Sequence, residues 1–243
     1  MRLTVVDNHS RPEQRALLKK GCDPSTRLLL AERNLGYGTA ANLALKGGEG
    51  EVVCICNADI LPRADALAHL AEVALSDPLA GMVGPVFEGG TQHYHAKLPG
   101  SLALLGRPLV GSFGMRRPPT PRPGLTTEVE QVSGACFVLR RELWVEIGGF
   151  DEGFFLWYDD VDLARRLVDA GYRNLVVGSA LVEHVGAGSF NQFERPAAQA
   201  IRLTSLERYI SKHHARLLPA ARPVLATAWR VRARSARGTR PTP

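Results

Sequence analysis

Carboxylates and one histidine are the side chains of this sequence whose spacing is best suited to chemistry. Asp159, Asp160 and Asp162 fall at the start of a predicted helix, and His184 ends a strand-like run downstream. Asp59 adds another carboxylate just after an apolar strand. Such groups can hold a divalent cation, and a carboxylate can also take a proton from a hydroxyl group. The pattern predicts a metal ion and a general base that act on a polyanionic substrate.

The composition is that of a soluble globular protein. Of 243 residues, 45% are hydrophobic and 22% are charged, which is enough to bury the core of one large domain or two small ones. No apolar run approaches the ~20 residues that cross a bilayer, and no signal-peptide pattern precedes the first strand. These features predict a cytoplasmic protein. The four cysteines lack zinc or disulfide spacing, so buried, reduced thiols are expected.

The net charge of +6 is concentrated near the C-terminus. Residues 214–243 are predicted to form a basic, amphipathic helical tail whose end is disordered. Basic residues interleaved with leucine and tryptophan favour peripheral contact with an anionic membrane surface, and a plain solvated tail is the alternative. No nucleic-acid partner is predicted, because no recognition motif accompanies the charge. Seven arginines and no acids occupy this stretch: Arg216, Arg222, Arg230, Arg232, Arg234, Arg237 and Arg240.

Strand-like and helix-like segments alternate along the chain. This order predicts an α/β fold with a doubly wound, mainly parallel (mixed) sheet and flanking helices. In such sheets ligands lie beyond the carboxyl ends of the strands, where Asp7, Asn34 and Asp59 fall. The predicted strands cover residues 3–6, 27–30, 51–56, 82–87, 132–139, 174–177 and 180–183. One predicted helix ends near residue 20. The other predicted helices cover residues 40–46, 64–75, 141–147, 160–170 and 202–213.

We expect a single domain over residues 1–213, followed by the basic tail. Residues 1–87 would form a nucleotide-binding half, and residues 131–213 would form an acceptor and catalytic half. Between them, residues 88–130 are rich in glycine and proline and show little periodicity. A loop of this length in a compact domain is typically a lid or a binding loop, or is disordered.

Several ordered motifs resemble the signatures of family 2 glycosyltransferases, which have the GT-A fold. Within that family the sequence is most similar to bacterial rhamnosyltransferases of cell-wall and surface-polysaccharide assembly, as far as about Tyr209. The motifs are Asp7-Asn8-His9-Ser10, the segment from Asn34 to Asn42, Asn57-Ala58-Asp59, Val132-Ser133-Gly134-Ala135-Cys136, Gly148-Gly149-Phe150-Asp151, Asp159-Asp160-Val161-Asp162 and Ala170-Gly171-Tyr172.

The resemblance implies roles for the acidic motifs. Asp160 would be the general base that deprotonates the acceptor hydroxyl, and Asp159 would position the acceptor or the metal. Asp59 would bind Mg²⁺ or Mn²⁺ with His184 as a second protein ligand, and Asn57 takes the place of another acid. In the alternative interpretations, Asp159 and Asp160 only cap their helix and His184 is structural.

The resemblance also places the nucleotide sugar. Asp7 would bind the nucleobase, although an Asx turn that caps the next helix is the alternative. Asn34 and Asn42 flank a glycine turn at Gly36, whose backbone can approach a nucleotide closely. A plain turn between strand and helix would also use glycine there.

Together these features predict an inverting glycosyltransferase in cell-wall or surface-polysaccharide synthesis. The expected donor is dTDP-rhamnose, with UDP-sugars as the alternative, and the expected acceptor is a saccharide or a polyprenyl-linked glycan at the inner face of the cell membrane. The family pattern has one more strand and helix before the strand at residues 3–6, and the sequence from Met1 lacks them. A catalytically impaired or non-catalytic nucleotide-sugar-binding relative is therefore the alternative.

Overall fold

The computed structural model describes residues 2–88, 95–110, 122, 124–185 and 195–238. Ten strands and eight α-helices alternate in these residues, and a short 3₁₀ helix, Ala215–Leu217, precedes the last helix. In chain order they are β1 (Thr4–Asp7), α1 (Pro12–Gly21), β2 (Arg27–Leu30), α2 (Tyr37–Leu45), β3 (Val52–Cys56), β4 (Ile60–Pro62), α3 (Ala66–Ser76), β5 (Ala80–Glu88), β6 (His95–Ala96), α4 (Ser101–Val110), β7 (Thr126–Val129), β8 (Gln131–Val132), β9 (Cys136–Arg140), α5 (Arg141–Glu146), α6 (Asp159–Asp169), β10 (Arg173–His184), α7 (Arg195–His213) and α8 (Leu218–Gly238).

Six strands form the central sheet, in the order β3-β9-β5-β10-β4, with β7 beside the first half of β10. β5 and β10 are parallel, whereas β9 runs antiparallel to both β3 and β5. β4 and β7 are antiparallel to β10, and β1 pairs in parallel with β2 in a separate sheet. The predicted α/β architecture with a mixed sheet and flanking helices is confirmed. The expectation that the sheet is mainly parallel is wrong, because β9, β4 and β7 all run antiparallel to their neighbours and only β5 and β10 are parallel among the described strands of the central sheet.

Three local expectations differ from the structure. The strand predicted at residues 132–139 is divided between β8, which pairs with β6, and β9, which pairs with β3. The predicted strands at residues 174–177 and 180–183 are one strand, β10, with a register shift between Val177 and Leu181. A side chain at Gly178 would overlap the carbonyl oxygens of Arg122 and Leu125, so glycine lets the chain bulge there without leaving the sheet. The predicted loop at residues 88–130 contains regular structure, because β6, α4 and β7 all fall within it.

Three apolar clusters hold the layers together. The first packs α3 against one face of the sheet, and the second packs α5 and α6 against the other. The third joins α4, α6, α7 and α8. Each fully buried aliphatic or aromatic side chain stabilises the fold by about 1.5–3 kcal/mol, so the helices fix the strand ends that carry the polar residues.

The first part of the basic tail packs against the protein. Ala221, Leu225 and Ala228 of α8 are buried in the third cluster, next to Leu206 and Ile210 of α7. Much of the apolar side of this helix therefore faces the protein core. In the described part of the chain, no helix combines the length and the apolar character that crossing a membrane requires. Residues 239–243, where the sequence predicts disorder, lie outside the described residues.

Candidate active site

The start of α6 is held in an uncommon backbone conformation. Trp157 and Tyr158 have positive φ angles of 63° and 64°, and Asp159 follows them as the first helical residue. Each left-handed non-glycine residue costs about 1–3 kcal/mol, and such strain clusters at functional sites. Tyr158 is buried against Tyr209 of α7, with ring centroids 5.5 Å apart. Packing thus fixes the direction in which the following carboxylates point.

Asp160 is half-buried, and both of its carboxylate oxygens accept backbone hydrogen bonds. The N–H of Gly134 donates to Oδ2 at 3.0 Å, and the N–H of Val161 donates to Oδ1 at 2.8 Å. Burial raises the pKa of Asp160, although these hydrogen bonds oppose the shift. The side chain of Gln131 also donates a hydrogen bond to this carboxylate, which is therefore fixed in place. A carboxylate has about four acceptor sites, so Asp160 is still able to accept a proton.

Asp159 lies beside Asp160 and is only 5% exposed. Its Oδ1 accepts a hydrogen bond from the backbone N–H of Asp160 at 3.0 Å, and its Oδ2 is buried without a partner among the described residues. Burial, followed by the nearby charge of Asp160, raises the pKa of Asp159 to about 7. Two carboxylates this close cannot both ionise freely, so the pair holds a proton near neutral pH.

Asp59 and His184 come together where β4 pairs with the end of β10. Nε2 of His184 lies 3.4 Å from Oδ1 of Asp59, and the side chains are 7% and 29% exposed. Nδ1 of His184 is buried, and no described group binds it. Phe87 packs edge-on against the imidazole, with ring centroids 5.2 Å apart. The predicted metal ligands are therefore neighbours.

The Asp59–His184 pair fits two positions of a divalent cation. Neighbouring ligands on a cation with bonds of about 2.1 Å lie roughly 3 Å apart, close to the observed separation. Within the described ranges, no group of three or more acidic, histidine or cysteine side chains is arranged to hold a metal. Other ligands would therefore have to come from water and from the diphosphate of a substrate.

A short run of backbone joins the carboxylate pair to the Asp59–His184 pair. The N–H of Asn57 donates to the carbonyl of Ala135 at 2.8 Å, while the neighbouring Gly134 binds Asp160. The hydroxyl of Tyr37 donates to the carbonyl of Gly134. These contacts connect the backbone just before Asp59 with Gly134, which binds Asp160. That Asp59, Asp160 and His184 share one cleft stays a prediction.

Asp7 is tied to its own helix. Its buried carboxylate forms an ion pair with Arg15 at 2.6 Å and accepts a hydrogen bond from the N–H of Ser10 at 3.2 Å. Burial alone would raise the pKa of Asp7, but the hydrogen bonds from Ser10 and Arg15 outweigh it and lower the pKa. The side chain of Asp7 is 0% exposed. Its contact with the N–H of Ser10 is the Asx-type turn that was the alternative interpretation of the sequence. These contacts do not support the predicted binding of a nucleobase by Asp7.

The glycine turn before α2 is built by side-chain contacts to its backbone. Oδ1 of Asn34 accepts a hydrogen bond from the N–H of Gly36 at 2.9 Å, and Nδ2 of Asn8 donates to the carbonyl of Gly36 at 2.9 Å. Gly36 has a φ of 83°, and a side chain there would overlap the backbone of Phe155. Only glycine allows this approach, which brings the turn against the segment before α6. Asn34 itself is exposed.

Asn42 has a structural role that the sequence did not predict. Its amide exchanges two hydrogen bonds with the backbone of Phe150, at 2.9 and 3.0 Å, and also donates to Glu152 at 3.0 Å. The amide therefore pins the glycine turn at residues 148–149 to α2. A direct contact between Asn42 and a nucleotide sugar is not supported.

No role for Gly134 or Tyr37 was predicted from the sequence. Gly134 lies in the motif at residues 132–136 and Tyr37 in the segment from Asn34 to Asn42, but the hydrogen bond between them spans 97 residues and has no local pattern. Asp162, the third acid at the start of α6, forms an ion pair with Arg166 at 2.8 Å. It also binds Lys212 and His213 of α7. This buried carboxylate therefore joins α6 to α7 behind Asp160.

A family model of known proteins matches residues 1–148, and its description is glycosyl transferase family 2. The chain belongs to this family. The match covers β1 to α5, including the turn at Gly36 and the Asn57-Ala58-Asp59 motif. The resemblance stated from the motifs is confirmed.

Two curated relatives are named as a rhamnosyltransferase and as an O-antigen biosynthesis protein. An N-acetylglucosaminyl-diphospho-decaprenol L-rhamnosyltransferase of Mycobacterium tuberculosis (strain ATCC 25618 / H37Rv) is 34% identical over 191 residues, which are 68% of this chain and 61% of the relative. The O-antigen biosynthesis protein RfbC of Myxococcus xanthus is 31% identical over 193 residues, 76% of this chain and 15% of that protein. The chain thus spans less than two thirds of the relatives' length.

Solved structures show the same fold. GalNAc-T7 with UDP, GalNAc and Mn²⁺ matches with a TM-score of 0.59 at 18% identity, over 75% of this chain and 37% of that chain. The mannosyltransferase PcManGT from Pyrobaculum calidifontis, in complex with GDP-Man and Mn²⁺, matches with a TM-score of 0.55 at 21% identity. That match covers 99% of this chain and 67% of the mannosyltransferase.

Proposed function

We propose that the protein is an inverting glycosyltransferase that moves L-rhamnose from dTDP-rhamnose to a polyprenyl-linked glycan carrying N-acetylglucosamine. The observation that carries this proposal is the half-buried Asp160, held by two backbone donors beside a carboxylate whose pKa is raised to about 7. Burial raises the pKa of Asp160 toward the working pH, and a base with such a pKa transfers protons more efficiently. The sugar and acceptor follow the 34% identical rhamnosyltransferase.

In the proposed reaction Asp160 takes the proton of the acceptor hydroxyl while the acceptor oxygen attacks the anomeric carbon. The bond to the nucleoside diphosphate breaks on the opposite face, so one displacement inverts the configuration. The charge of Asp160 helps to raise the pKa of Asp159, so the pair retains a proton near neutral pH. Gly134 holds the Asp160 carboxylate at 3.0 Å from its N–H, which restricts where the acceptor can bind.

Asp59 and His184 are proposed to hold Mn²⁺ or Mg²⁺. A bound divalent cation would supply positive charge against the departing diphosphate. Both solved relatives described above contain Mn²⁺, which supports this assignment without fixing the ion. Asn57, Asn34 and the backbone at Gly36 remain our proposed contacts for the nucleotide sugar. Asp7 and Asn42 are not among them, since their side chains are occupied.

The decisive experiment is a nucleotide-release assay with Mn²⁺ and a panel of dTDP- and UDP-sugars. We expect turnover with dTDP-rhamnose, and we expect Asp160→Asn to lose about 10²–10⁴-fold in kcat. Asp169→Asn is the matched control, because this aspartate ends the same helix and pairs with Arg165 on its surface. Full turnover in Asp160→Asn would exclude the base assignment. A folded wild type that binds nucleotide sugars without turnover would instead support the non-catalytic relative.

The metal proposal has its own test. We expect His184→Ala to weaken Mn²⁺ binding by at least about tenfold, measured by electron paramagnetic resonance on the protein with Mn²⁺ alone and with dTDP added. His69→Ala on α3 is the control, since this histidine lies outside the site and its Nδ1 has no partner in the described structure. Equal Mn²⁺ affinity in both variants would exclude His184 as a ligand.

We also propose that the C-terminal helix brings the protein to the inner face of the cell membrane. Arg216, Arg222 and Arg230 are exposed, and Trp229 is 49% exposed beyond the buried part of α8. Near-surface arginines contribute about 1 kcal/mol each to binding of anionic lipid. We expect co-sedimentation with vesicles that contain phosphatidylglycerol and none with pure phosphatidylcholine. Equal recovery in both pellets, or in neither, would exclude this contact.

A further inference from the structure

Three thiols meet on neighbouring strands next to the candidate active site. Sγ of Cys56 lies 3.3 Å from Sγ of Cys136 and 3.5 Å from Sγ of Cys54. All three are free, and Cys54 and Cys56 are exposed, so the prediction of buried thiols holds only for Cys136 in this cluster. The edge position of β3 exposes them, because β9 is its only partner in the described sheet.

The strand register favours a bond between Cys56 and Cys136. These residues are direct partners of the antiparallel β3–β9 pair, and Asn57 donates a hydrogen bond to Ala135 one position further along. Hydrogen-bonded and non-hydrogen-bonded pairs alternate, so Cys56 and Cys136 form a non-hydrogen-bonded pair with Cα atoms about 4.5 Å apart. Disulfides span about 4.4–6.8 Å between Cα atoms. Cys54 and Cys56 are two residues apart on one strand, about 6.6 Å, near the upper limit.

Cys56 is also the thiol best placed to react first. Hydrogen bonds from Cys136 and then Cys54 lower the pKa of Cys56, which favours its thiolate, whereas the pKa of Cys54 is raised. The thiolate is the form that attacks an oxidant, and its exposure on the sheet edge gives access to solvent. Cys136 needs no access of its own because it already contacts Cys56.

We propose that Cys56 and Cys136 form a reversible disulfide when the protein meets a peroxide. The Cys56 thiolate attacks one peroxide oxygen, so an S–O bond forms, the O–O bond breaks and hydroxide leaves. The sulfur of Cys136 then attacks the Cys56 sulfenic acid. An S–S bond forms, the S–O bond breaks, and the departing hydroxide takes the Cys136 proton as water. Two thiols are oxidised and one peroxide is reduced to two waters.

The disulfide would act on the active site through the backbone. Cys56 precedes Asn57, and Cys136 follows the Gly134–Ala135 pair that contacts Asp160 and Asn57. Both cysteines also influence the pKa of Tyr37, whose hydroxyl binds Gly134. A covalent bond would draw the two side chains from 3.3 Å to bonding distance and displace these loops. We therefore expect oxidation to slow turnover, an expectation that rests on the proposed function.

The test begins with the reduced full chain, treated with hydrogen peroxide and analysed by mass spectrometry without reductant. We expect the loss of two hydrogens per chain, a fall in free thiols from four to two, and reversal by dithiothreitol. Cleavage at Lys46, Arg63 and Arg140 leaves Cys56 and Cys136 in separate peptides, which the disulfide should join. A disulfide confined to the peptide with Cys54 and Cys56, or only added oxygen, would overturn the proposal.

Single variants identify the partners. Cys22→Ser, outside the cluster, and Cys54→Ser should still form the bond, while Cys56→Ser and Cys136→Ala should not. A bond that persists in Cys56→Ser would overturn the assignment. Nucleotide release measured before and after peroxide should fall and recover in wild type and stay constant in Cys136→Ala. Disulfide formation without a change in turnover would overturn the link to the active site, but leave the glycosyltransferase proposal intact.

Discussion

Replacing Gly134 with alanine tests whether the position of Asp160 controls the reaction rate. The new methyl carbon would lie 2.9 Å from Cβ and 3.4 Å from Oδ2 of Asp160. Carbon atoms normally approach to about 3.5–4.0 Å, so Asp160 must move by about 0.6–1 Å. That shift would stretch the 3.0 Å hydrogen bond between the N–H of Gly134 and Oδ2.

The weakening of this hydrogen bond can be expressed as a decrease in the reaction rate. A hydrogen bond to a charged group contributes about 1.5–3 kcal/mol, which corresponds to roughly 10–100-fold in kcat if the bond positions the base. We expect this decrease in the nucleotide-release assay, with the KM for the donor changed much less. Position 134 has an ordinary backbone φ, so a methyl group introduces no conformational strain of the chain itself.

Gly21→Ala is the matched control, because no atom lies within 4 Å of the added methyl group at the end of α1. Its kcat and thermal midpoint should equal those of wild type. A Gly134→Ala protein that keeps kcat within about twofold would refute the positioning role of Gly134. The reasoning would also fail if the lost activity only followed the fraction of unfolded protein, as measured by circular dichroism in the assay buffer.

Three further variants separate catalytic from structural roles. Wild-type kcat/KM should rise with pH through the pKa of Asp160, which burial raises above its usual range, and Asp159→Asn should remove the second titration near pH 7, where Asp159 itself loses its proton; a profile that is the same in both proteins would contradict the coupling. Asn42→Ala should destabilise the protein by about 1–3 kcal/mol in urea unfolding, with donor KM unchanged, since Asn42 holds the backbone of Phe150. Asp162→Asn should lower the free energy of unfolding by about 3 kcal/mol at pH 7. Hydrogen bonds to Asp162 outweigh its burial and lower its pKa in the folded protein. The stabilisation by Asp162 is therefore complete above about pH 4 and disappears as the pH falls through the pKa of the folded state. A difference in stability between wild type and Asp162→Asn that stays constant down to about pH 2 would refute this assignment.

The sequence alone predicted the family, the mixed α/β fold and the position of the acids. The reason is local: strand and helix periodicity places Asp59, Asp160 and His184 at the ends of elements, and ordered motifs identify those elements. The helix predicted at residues 160–170 is α6, Asp159–Asp169, and the strand predicted at residues 132–139 overlaps β9. A carboxylate at the end of an element is visible in the sequence because its neighbours define that end.

Tertiary structure decided which of these side chains have free oxygens and which hold the protein together. Asn42 meets Phe150 across 108 residues, and Arg15 takes the carboxylate of Asp7, so two predicted ligand contacts became structural ones. Cys56 and Cys136 are 80 residues apart and touch because β3 pairs with β9 in one register. Periodicity indicates the face on which a side chain lies. The partner it meets there is selected by the packing of distant elements, which no local pattern contains.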